Sequence, residues 1–330
     1  MKVVFTQDAS AIRDITREKS FLPADMGLTI AEAVYDPNNL EAYYAEIEDA
    51  DGIITDYVEF RSADIDRLKK CKAISIQATG YNVVDVDYAK ERGIAVCAIA
   101  EYCTQEVADH AMALMLALQR GITIYHDSVQ LKKEWNFAAM SGVERIEGQQ
   151  IGIVGFGKIG QAVGKRAQAF GMQVVAYDPY ISAEAAEKQH VKLVDLDTLL
   201  TTSDVISIHM NLTKENTAFF TLDVFKKMVK KPFIINVARG AMIDEKDLVT
   251  ALDTNLVRGA GLDVLESEYP DMKTCPLVGR PNVILTPHSA FYSKTAEFLS
   301  AKITVENLVK CLKGNFKGAA RVVNDVGLYI

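Results

Sequence analysis

The 330-residue sequence predicts an α/β protein with two doubly wound parallel sheets. Three observations predict this fold class. Short apolar runs alternate with polar, helix-like runs in both halves of the chain, and a Gly-x-Gly-x-x-Gly motif stands near its centre. The last amphipathic run, Thr295–Leu312, is predicted to return to the first domain. The outer domain would then comprise residues 1–100 and 294–330, and the inserted domain residues 101–293.

In the first domain, five apolar runs are predicted to be strands: Val3–Thr6, Thr29–Val34, Gly52–Thr55, Ala73–Ala78 and Ile94–Ala98. Predicted helices between them include Ser62–Cys71 and Asp85–Arg92. Strands that alternate with helices indicate a parallel sheet, because each helix carries the chain back to the same end.

The same alternation continues in the second domain. Its predicted strands are Ile151–Val154, Gln173–Tyr177, Val205–His209, Phe233–Val237, Gly261–Val264 and Val283–Leu285. One helical run, Asp109–Gln119, is apolar on nearly all faces. Such a helix is expected either to be buried or to lie against a partner subunit.

The glycine motif begins at Gly155 and has the features of a dinucleotide-binding turn. Gly155 permits the tight strand-to-helix turn, Gly157 lets backbone N–H groups approach a pyrophosphate, and Gly160 lets the helix lie close to the strand. Asp178 lies 18 residues beyond Gly160, where its carboxylate can accept hydrogen bonds from ribose hydroxyls. Its charge would repel a 2′-phosphate, so NAD is favoured over NADP. A glycine-rich turn without a ligand is the alternative.

Composition excludes several classes of function. Hydrophobic residues make up 49% of the chain, charged residues 24%, and the net charge is −8. This acidic balance argues against a nucleic-acid partner. No apolar run approaches the ~20 residues of a membrane span. The five cysteines contain no Cys-x-x-Cys pair, so we expect reduced thiols, a cytoplasmic protein and no metal site.

Three apolar runs end in polar segments that carry Arg239, Glu268 and His288. Ligands of open parallel sheets bind at the carboxyl ends of the strands, so these side chains are expected to meet there. Histidine suits proton donation to a carbonyl that is being reduced, and a carboxylate can fix its tautomer. An arginine can grip a substrate carboxylate or carbonyl oxygen. Each residue alone could be structural, but their joint arrival favours an active site.

These residues resemble the NAD-dependent D-isomer-specific 2-hydroxyacid dehydrogenases, and the resemblance covers essentially the whole chain. The matching blocks are Gly-Phe-Gly-Lys-Ile-Gly, Asn-Val-Ala-Arg-Gly, Gly-Leu-Asp-Val-Leu-Glu-Ser-Glu and Thr-Pro-His-Ser-Ala. The separations of 29 residues from Arg239 to Glu268 and 20 from there to His288 also fit. The resemblance implies a flavodoxin-like substrate domain, an inserted Rossmann NAD-binding domain, and reduction by NADH.

The resemblance also implies individual roles. Arg239 would orient the 2-oxo acid, His288 would exchange the proton and Glu268 would support His288. Besides the glycines and Asp178, the implied cofactor contacts are Lys158, Ile159, His209, Met210, Asn211, Asn216, Val237, Ala238 and Asp263. Many members carry proline where Asn211 stands here. The implied substrate contacts are Ala78, Thr79, Gly80, Tyr102 and Tyr292. A homodimer would pack through the helix of Asp109–Gln119.

The substrate signals are mixed. Gly80-Tyr81-Asn82 resembles the glyoxylate or hydroxypyruvate reductase branch of the family. The segments around Tyr102 and Tyr292 resemble the D-lactate and D-2-hydroxyisocaproate branch. We therefore expect a small 2-oxo acid with an uncharged side chain, and hydroxypyruvate or glyoxylate as the alternative.

Three further functions compete with this expectation. Phosphoglycerate dehydrogenases supply arginines after the third strand, whereas residues 55–61 contain two acids and one arginine. Because the sequence ends at residue 330, we expect no regulatory domain of the kind that some of these enzymes carry. Formate dehydrogenases pair their histidine with glutamine rather than with a glutamate such as Glu268. An NAD-sensing corepressor, which acts by binding proteins, belongs to a different class of function.

Overall fold

A computed structural model describes residues 1–324. Contacts within the chain divide it into two compact units. Unit 1 comprises Met1–Tyr102 together with the chain from Ser293 onward, and unit 2 comprises Cys103–Tyr292. The outer domain predicted from the sequence runs to residue 330, and residues 325–330 of that range lie outside the described part.

The strands of both units pair only in parallel within residues 1–324. In chain order they are β1 (Lys2–Asp8), β2 (Thr29–Tyr35), β3 (Gly52–Thr55), β4 (Ala73–Ile76), β5 (Ala95–Cys97), β6 (Gln150–Val154), β7 (Gln173–Tyr177), β8 (Lys192–Leu193), β9 (Val205–Ile208), β10 (Phe233–Asn236), β11 (Gly259–Leu262) and β12 (Val283–Leu285). The two-residue strand β8 was not predicted, because it is too short to carry an apolar pattern.

Helices connect these strands. They are α1 (Thr16–Ser20), α2 (Leu40–Ile47), α3 (Ser62–Arg67), α4 (Val86–Glu91), α5 (Thr104–Gln119), α6 (Ile122–Gln130), α7 (Lys158–Ala169), α8 (Ala183–Glu187), α9 (Leu196–Thr202), α10 (Leu222–Lys226), α11 (Glu245–Asp253) and α12 (Lys294–Leu312). Over the part of the chain that the structure describes, none of them combines the length and apolarity that crossing a membrane requires.

Unit 1 is built on a five-stranded sheet in the order β2-β1-β3-β4-β5, which is the flavodoxin-like order. The last long helix, α12, packs against β3, β4 and β5 of this sheet. Leu308 is buried where it contacts Gly52, and Ser75 Oγ donates a hydrogen bond to the carbonyl of Thr304 at 2.9 Å. Strand β4 ends at Ile76 rather than at Ala78, so Ala78 lies in the following loop.

Unit 2 is built on a seven-stranded sheet in the order β12-β11-β10-β9-β6-β7-β8. The chain order reverses between β9 and β6, which makes this the switch point of a doubly wound sheet. Because all strands are parallel, the segments that follow them lie along one edge. The residues predicted to do chemistry and those predicted to hold a dinucleotide therefore share the carboxyl edge of this sheet.

Helix α5 is apolar because it is buried within unit 2. It packs against α7, β10 and β11, and eight of its residues are buried: Val107, Ala108, Ala111, Met112, Leu114, Met115, Leu118 and Gln119. Burial within the unit, one of the two alternatives expected from the sequence, accounts for much of its apolar composition, and the dimer contact stays a prediction. The burial follows from its packing on β10, β11 and β12 and against α7.

Candidate active site

The glycine-rich turn connects β6 to α7 and leaves open space at the helix N-terminus. Gly155 has a positive φ of 95°, and a Cβ there would lie 2.6 Å from the backbone nitrogen of Met210. A Cβ at Gly160 would collide with the carbonyl oxygen of Gly155. A Cβ at Gly157, the N-cap of α7, would meet nothing within 4 Å. A helix N-terminus with this open approach fits the pyrophosphate of a dinucleotide.

Asp178 lies at the carboxyl end of β7, beside this turn. Its Oδ2 accepts a hydrogen bond from the backbone of Phe156 at 2.7 Å, and its Oδ1 accepts one from the backbone of Tyr180 at 2.8 Å. The side chain is half-buried, and each oxygen has a further lone pair. The geometry therefore fits a carboxylate that faces a ribose. Lys158 and Ile159 form the first turn of α7.

His209 follows β9 and borders the same turn. Its Nε2 lies 2.8 Å from Ser207 Oγ, while its buried Nδ1 has no hydrogen-bond partner among the described residues. Burial lowers the pKa of His209 to about 3, so the ring is neutral at working pH. An unpartnered polar atom at this position fits a ligand that brings its own hydrogen-bonding groups.

Of the remaining predicted cofactor contacts after β9, Met210 abuts Gly155, and the others stabilise their own loop. Asn216 Nδ2 donates to the carbonyl of Asn211 at 2.7 Å, and Asn216 Oδ1 accepts from the backbone of Thr213 at 2.6 Å. The amide of Asn216 is thus engaged within residues 211–216. In these contacts Asn216 stabilises its own loop.

Arg239 follows β10 on a turn that Asn236 holds. Asn236 is fully buried; its Oδ1 accepts from the backbone of Ala238 and its Nδ2 donates to the carbonyl of Arg239, both at 3.0 Å. Val237, one residue into this turn, is 8% exposed. Asn236 was not predicted as a site residue. An asparagine at the end of the apolar run Phe233–Asn236 was the signal that could have identified it.

Gly240 brings the Arg239 turn against the segment after β11. A side chain at Gly240 would collide with the backbone of Leu265 and Glu266. The absence of a Cβ therefore lets the segments that carry Arg239 and Glu268 pack directly on each other.

His288 and Glu268 form a hydrogen-bonded pair, with Nδ1 of the ring 2.7 Å from Oε2 of the carboxylate. A carboxylate can only accept, so Nδ1–H donates, and Nε2 is the ring nitrogen left for the predicted proton exchange. The hydrogen bond from His288 lowers the pKa of Glu268, with the positive charges of His288 and Arg239 adding to it. The three predicted catalytic residues thus follow neighbouring strands, and His288 and Arg239 both act on the charge of Glu268.

Asp263, which was predicted to hold the nicotinamide carboxamide, is hydrogen-bonded to the segment that follows β12. It is 1% exposed; its Oδ1 accepts from Thr286 Oγ1 at 2.5 Å and from the backbone of Ser289 at 2.9 Å, and its Oδ2 accepts from the backbone of Ala290 at 2.9 Å. A buried anion requires such donors. In the described structure Asp263 therefore holds the loop that carries His288.

The loop predicted to receive the substrate carboxylate follows β4 in unit 1. The carbonyl of Ala78 accepts from the backbone of Ile99 at 2.9 Å, and the carbonyl of Thr79 accepts from Arg321 Nη1 at 3.2 Å. The guanidinium of Arg321 also lies 5.1 Å from the ring centre of Tyr81, just after Gly80. A cation therefore lies against this loop. Arg321 was not predicted, since nothing in the local sequence connects it to residue 79.

The two tyrosines predicted to line the substrate pocket belong to different units. Tyr292 is 65% exposed and meets Phe291 edge-on at 6.4 Å, and Phe291 in turn meets His288 edge-on at 6.2 Å. Tyr102 is the last residue of unit 1 before the chain enters unit 2. Aromatic surface is thus placed beside the candidate proton donor by unit 2 itself.

Along the carboxyl edge of unit 2, the strand order separates two kinds of site. One half of the edge carries His288, Glu268 and Arg239, the predicted catalytic residues, after β12, β11 and β10. The other half carries the glycine-rich turn and Asp178, the acid predicted to face a ribose, after β6 and β7. A dinucleotide that crosses the switch point with its pyrophosphate on α7 fits such an edge.

Comparison with known proteins agrees with this arrangement. Residues 112–290 match the model of the D-isomer specific 2-hydroxyacid dehydrogenase NAD-binding domain. The chain is 38% identical to a hydroxypyruvate reductase of Blautia hydrogenotrophica, over 86% of this chain and 89% of that protein. It is 37% identical to a D-3-phosphoglycerate dehydrogenase of Methanocaldococcus jannaschii, over 86% of this chain but only 53% of that protein.

Among solved structures, a D-lactate dehydrogenase of Aquifex aeolicus in complex with NAD and lactic acid superposes with a TM-score of 0.84. The two sequences are 27% identical, and the match covers 97% of this chain and 98% of the other.

Proposed function

This chain belongs to the D-isomer specific 2-hydroxyacid dehydrogenases, which are NAD-dependent oxidoreductases, and from that premise we propose its substrate class. It reduces a small 2-oxo acid with an uncharged side chain to the D-2-hydroxy acid, as D-lactate and D-2-hydroxyisocaproate dehydrogenases do. The observation that carries this proposal is the 2.7 Å contact of His288 with Glu268 beside the Arg239 turn.

The residues divide the chemistry between them. When NADH is bound, it supplies the hydride that reduces the ketone carbon. His288 gives a proton from Nε2 to the ketone oxygen as negative charge develops there. Glu268 holds the ring in the required tautomer through its contact with Nδ1. Arg239 orients the 2-oxo acid through its planar guanidinium.

Substrate selection is assigned to unit 1 and to the aromatic cluster. The backbone of Ala78, Thr79 and Gly80 receives the substrate carboxylate, and Tyr102 and Tyr292 contact its side chain. The aromatic partners of Tyr292 favour an apolar substituent.

A second anionic group on the substrate is disfavoured by the segment after β3. Asp56 lies there with a side chain 19% exposed, and its Oδ2 is 3.5 Å from Arg13 Nε. Arg13 is also paired with the buried carboxylate of Glu18 at 2.9 Å, so this cation is already neutralised. The pairing argues against a phosphorylated substrate, even though a phosphoglycerate dehydrogenase is among the relatives.

Hydroxypyruvate or glyoxylate is the second candidate substrate group. The relative named hydroxypyruvate reductase supports it, as does the sequence Gly80-Tyr81-Asn82. A corepressor role requires no turnover at all and is separated from both by a single activity assay.

We also propose that the protein is a cytoplasmic homodimer. All five cysteines, each within the described residues, are free thiols, as expected in a reducing compartment. Sedimentation of the purified protein measures the dimer directly.

A steady-state panel tests the proposed substrate class. The purified protein is assayed with NADH and with pyruvate, 2-oxobutyrate, 2-oxoisocaproate, hydroxypyruvate, glyoxylate, oxaloacetate and 3-phosphohydroxypyruvate. We expect the highest kcat/KM for one of the first three. A preference for oxaloacetate or 3-phosphohydroxypyruvate would overturn the proposal. No turnover with any compound of the panel would favour the corepressor class.

A further inference from the structure

His110, on helix α5, contacts the loop of the proposed proton donor, and no step proposed above uses it. Its Nε2 lies 2.9 Å from Thr286 Oγ1, and Thr286 Oγ1 lies 2.5 Å from Asp263 Oδ1. The His110 side chain is 24% exposed, whereas that of Asp263 is fully buried. Three side chains from three elements thus form one chain of hydrogen bonds that ends on a buried carboxylate.

The direction of each hydrogen bond in this chain follows from the donor inventory. A hydroxyl has one proton, and an ionised carboxylate can only accept. Thr286 therefore donates to Asp263, and its oxygen must accept from His110. This requires the proton of His110 to be on Nε2.

Asp263 transmits this arrangement to His288. Its side chain binds Thr286, Ser289 and Ala290. In addition, the backbone carbonyl of Asp263 accepts a hydrogen bond from the backbone N–H of His288 at 2.7 Å. His288 has a positive φ of 50°, a conformation that non-glycine residues adopt at a cost. The residues on both sides of His288 must therefore be held for the imidazole to stay in place.

We propose that His110 is a positioning residue for His288 and acts through Thr286 and Asp263. The inference rests on the proposed function, because it concerns how precisely the proton donor is placed. Removing the Nε2–H donor leaves the Thr286 hydroxyl free to rotate away from Asp263. Outer-sphere partners of this kind typically change activity by about 10- to 100-fold where they have been removed from metal-bound histidines.

Three variants separate positioning from general packing. His110→Leu removes the donor and keeps an apolar side chain, whereas His110→Gln retains an N–H donor of similar reach. His126→Leu is the matched control, since His126 is an exposed histidine on the next helix, α6. We expect His110→Leu to lower kcat for reduction by at least about tenfold with little change in the KM for NADH. His110→Gln should recover most of that loss, and His126→Leu should match the wild type.

A double-mutant cycle adds a readout that a packing defect would not produce. If His110 acts through His288, His110→Leu should cost nothing further in kcat when His288 is already alanine. A packing defect would lower the residual activity in both backgrounds. Thermal unfolding of each variant shows whether the fold persists, and Thr286→Val provides a second interruption of the same chain if His110→Leu does not fold.

The outcomes are distinguishable. Normal kcat in both His110→Leu and Thr286→Val, or additive losses with His288→Ala, would overturn the positioning role while leaving the proposed function intact. Full activity of His288→Ala itself would overturn the proposed function, and the positioning role with it.

Discussion

The backbone N–H of Phe156 donates to Asp178 Oδ2 at 2.7 Å, which links the glycine-rich turn to the end of β7. The residue predicted to face the ribose thus also stabilises the turn predicted to hold the pyrophosphate. One carboxylate therefore combines a predicted charge effect on cofactor choice with an observed hydrogen bond to the turn. Substitutions can separate the two.

Asp178→Asn should relax the preference for NADH over NADPH. The amide oxygen can still accept from Phe156, but the charge that repels a 2′-phosphate is gone. We expect the ratio of kcat/KM values for the two cofactors to fall by about tenfold or more. Asp178→Ala, which removes both functions, should in addition weaken binding of NADH. An unchanged cofactor ratio in Asp178→Asn would remove Asp178 from the ribose role.

His288→Ala should lower kcat for reduction by about two to four orders of magnitude, the usual contribution of positioned proton transfer. Binding of NADH should be nearly unchanged, because the glycine-rich turn lies on the other half of the sheet edge. Stopped-flow measurement of NADH consumption together with fluorescence titration of NADH tests both statements. A loss confined to NADH affinity would contradict this assignment.

Glu268→Gln should move the alkaline limb of the reduction profile to lower pH. Reduction needs a proton from the imidazole, and the substitution replaces the anionic partner of the ring with a neutral amide. In the wild type the lowered pKa of Glu268 keeps this carboxylate ionised below the usual range of glutamate, so the pair persists into mild acid. The pH dependence of kcat/KM measures the shift, and an identical profile in the variant would show that the pair does not set it.

Arg239→Lys should impair both kcat and KM for the 2-oxo acid, although the charge is retained. A lysine ammonium cannot reproduce the planar, two-pronged hydrogen bonding of a guanidinium. We expect kcat/KM to fall by at least about 100-fold, since one group serves binding and orientation together. Arg258→Lys offers a comparison, because Arg258 directly precedes β11, at the amino edge of the sheet, and forms an ion pair with Glu144. Comparable losses in both variants would point to a folding defect.

His209→Gln should make the protein less sensitive to acid. Because the folded pKa of His209 is about 3, the unfolded chain takes up a proton below about pH 6.5 that the folded chain does not. The contribution of neutral His209 to the free energy of unfolding is therefore fully present above that pH, and it falls progressively as the pH drops toward 3. At pH 5 the difference amounts to at most about 2 kcal/mol. Urea unfolding of the wild type and of His209→Gln at pH 7.5 and pH 5 measures this difference. If both proteins lose the same free energy of unfolding between the two pH values, the burial argument is refuted.

The sequence predicted most strands because each is a short apolar run between turn residues. Gly52–Thr55, Gln173–Tyr177 and Val283–Leu285 have the same bounds in the structure. Ends differ where hydrogen bonding rather than hydrophobicity stops a strand: β9 ends at Ile208, and His209 enters the site instead of the sheet.

Residues that support the site were harder to predict. Thr286 and His110 are polar residues whose sequence neighbours give no indication of their partners. Their importance arises from contacts between segments far apart in the chain, such as the 2.9 Å contact of His110 with Thr286. A periodic pattern reports which face of an element is apolar, and carries no information on such pairings.

The sequence by itself determined the parallel α/β class, the dinucleotide turn, and the identity of the arginine, glutamate and histidine that follow three strands. These features are local, since spacing, apolar runs and glycines depend only on neighbouring residues. Only the tertiary structure decided that α5 is buried within its own unit and that Asp263 holds the loop of His288. Burial and hydrogen bonding are properties of groups brought together from distant parts of the chain, so they exist only once the strands have taken their order in the sheet.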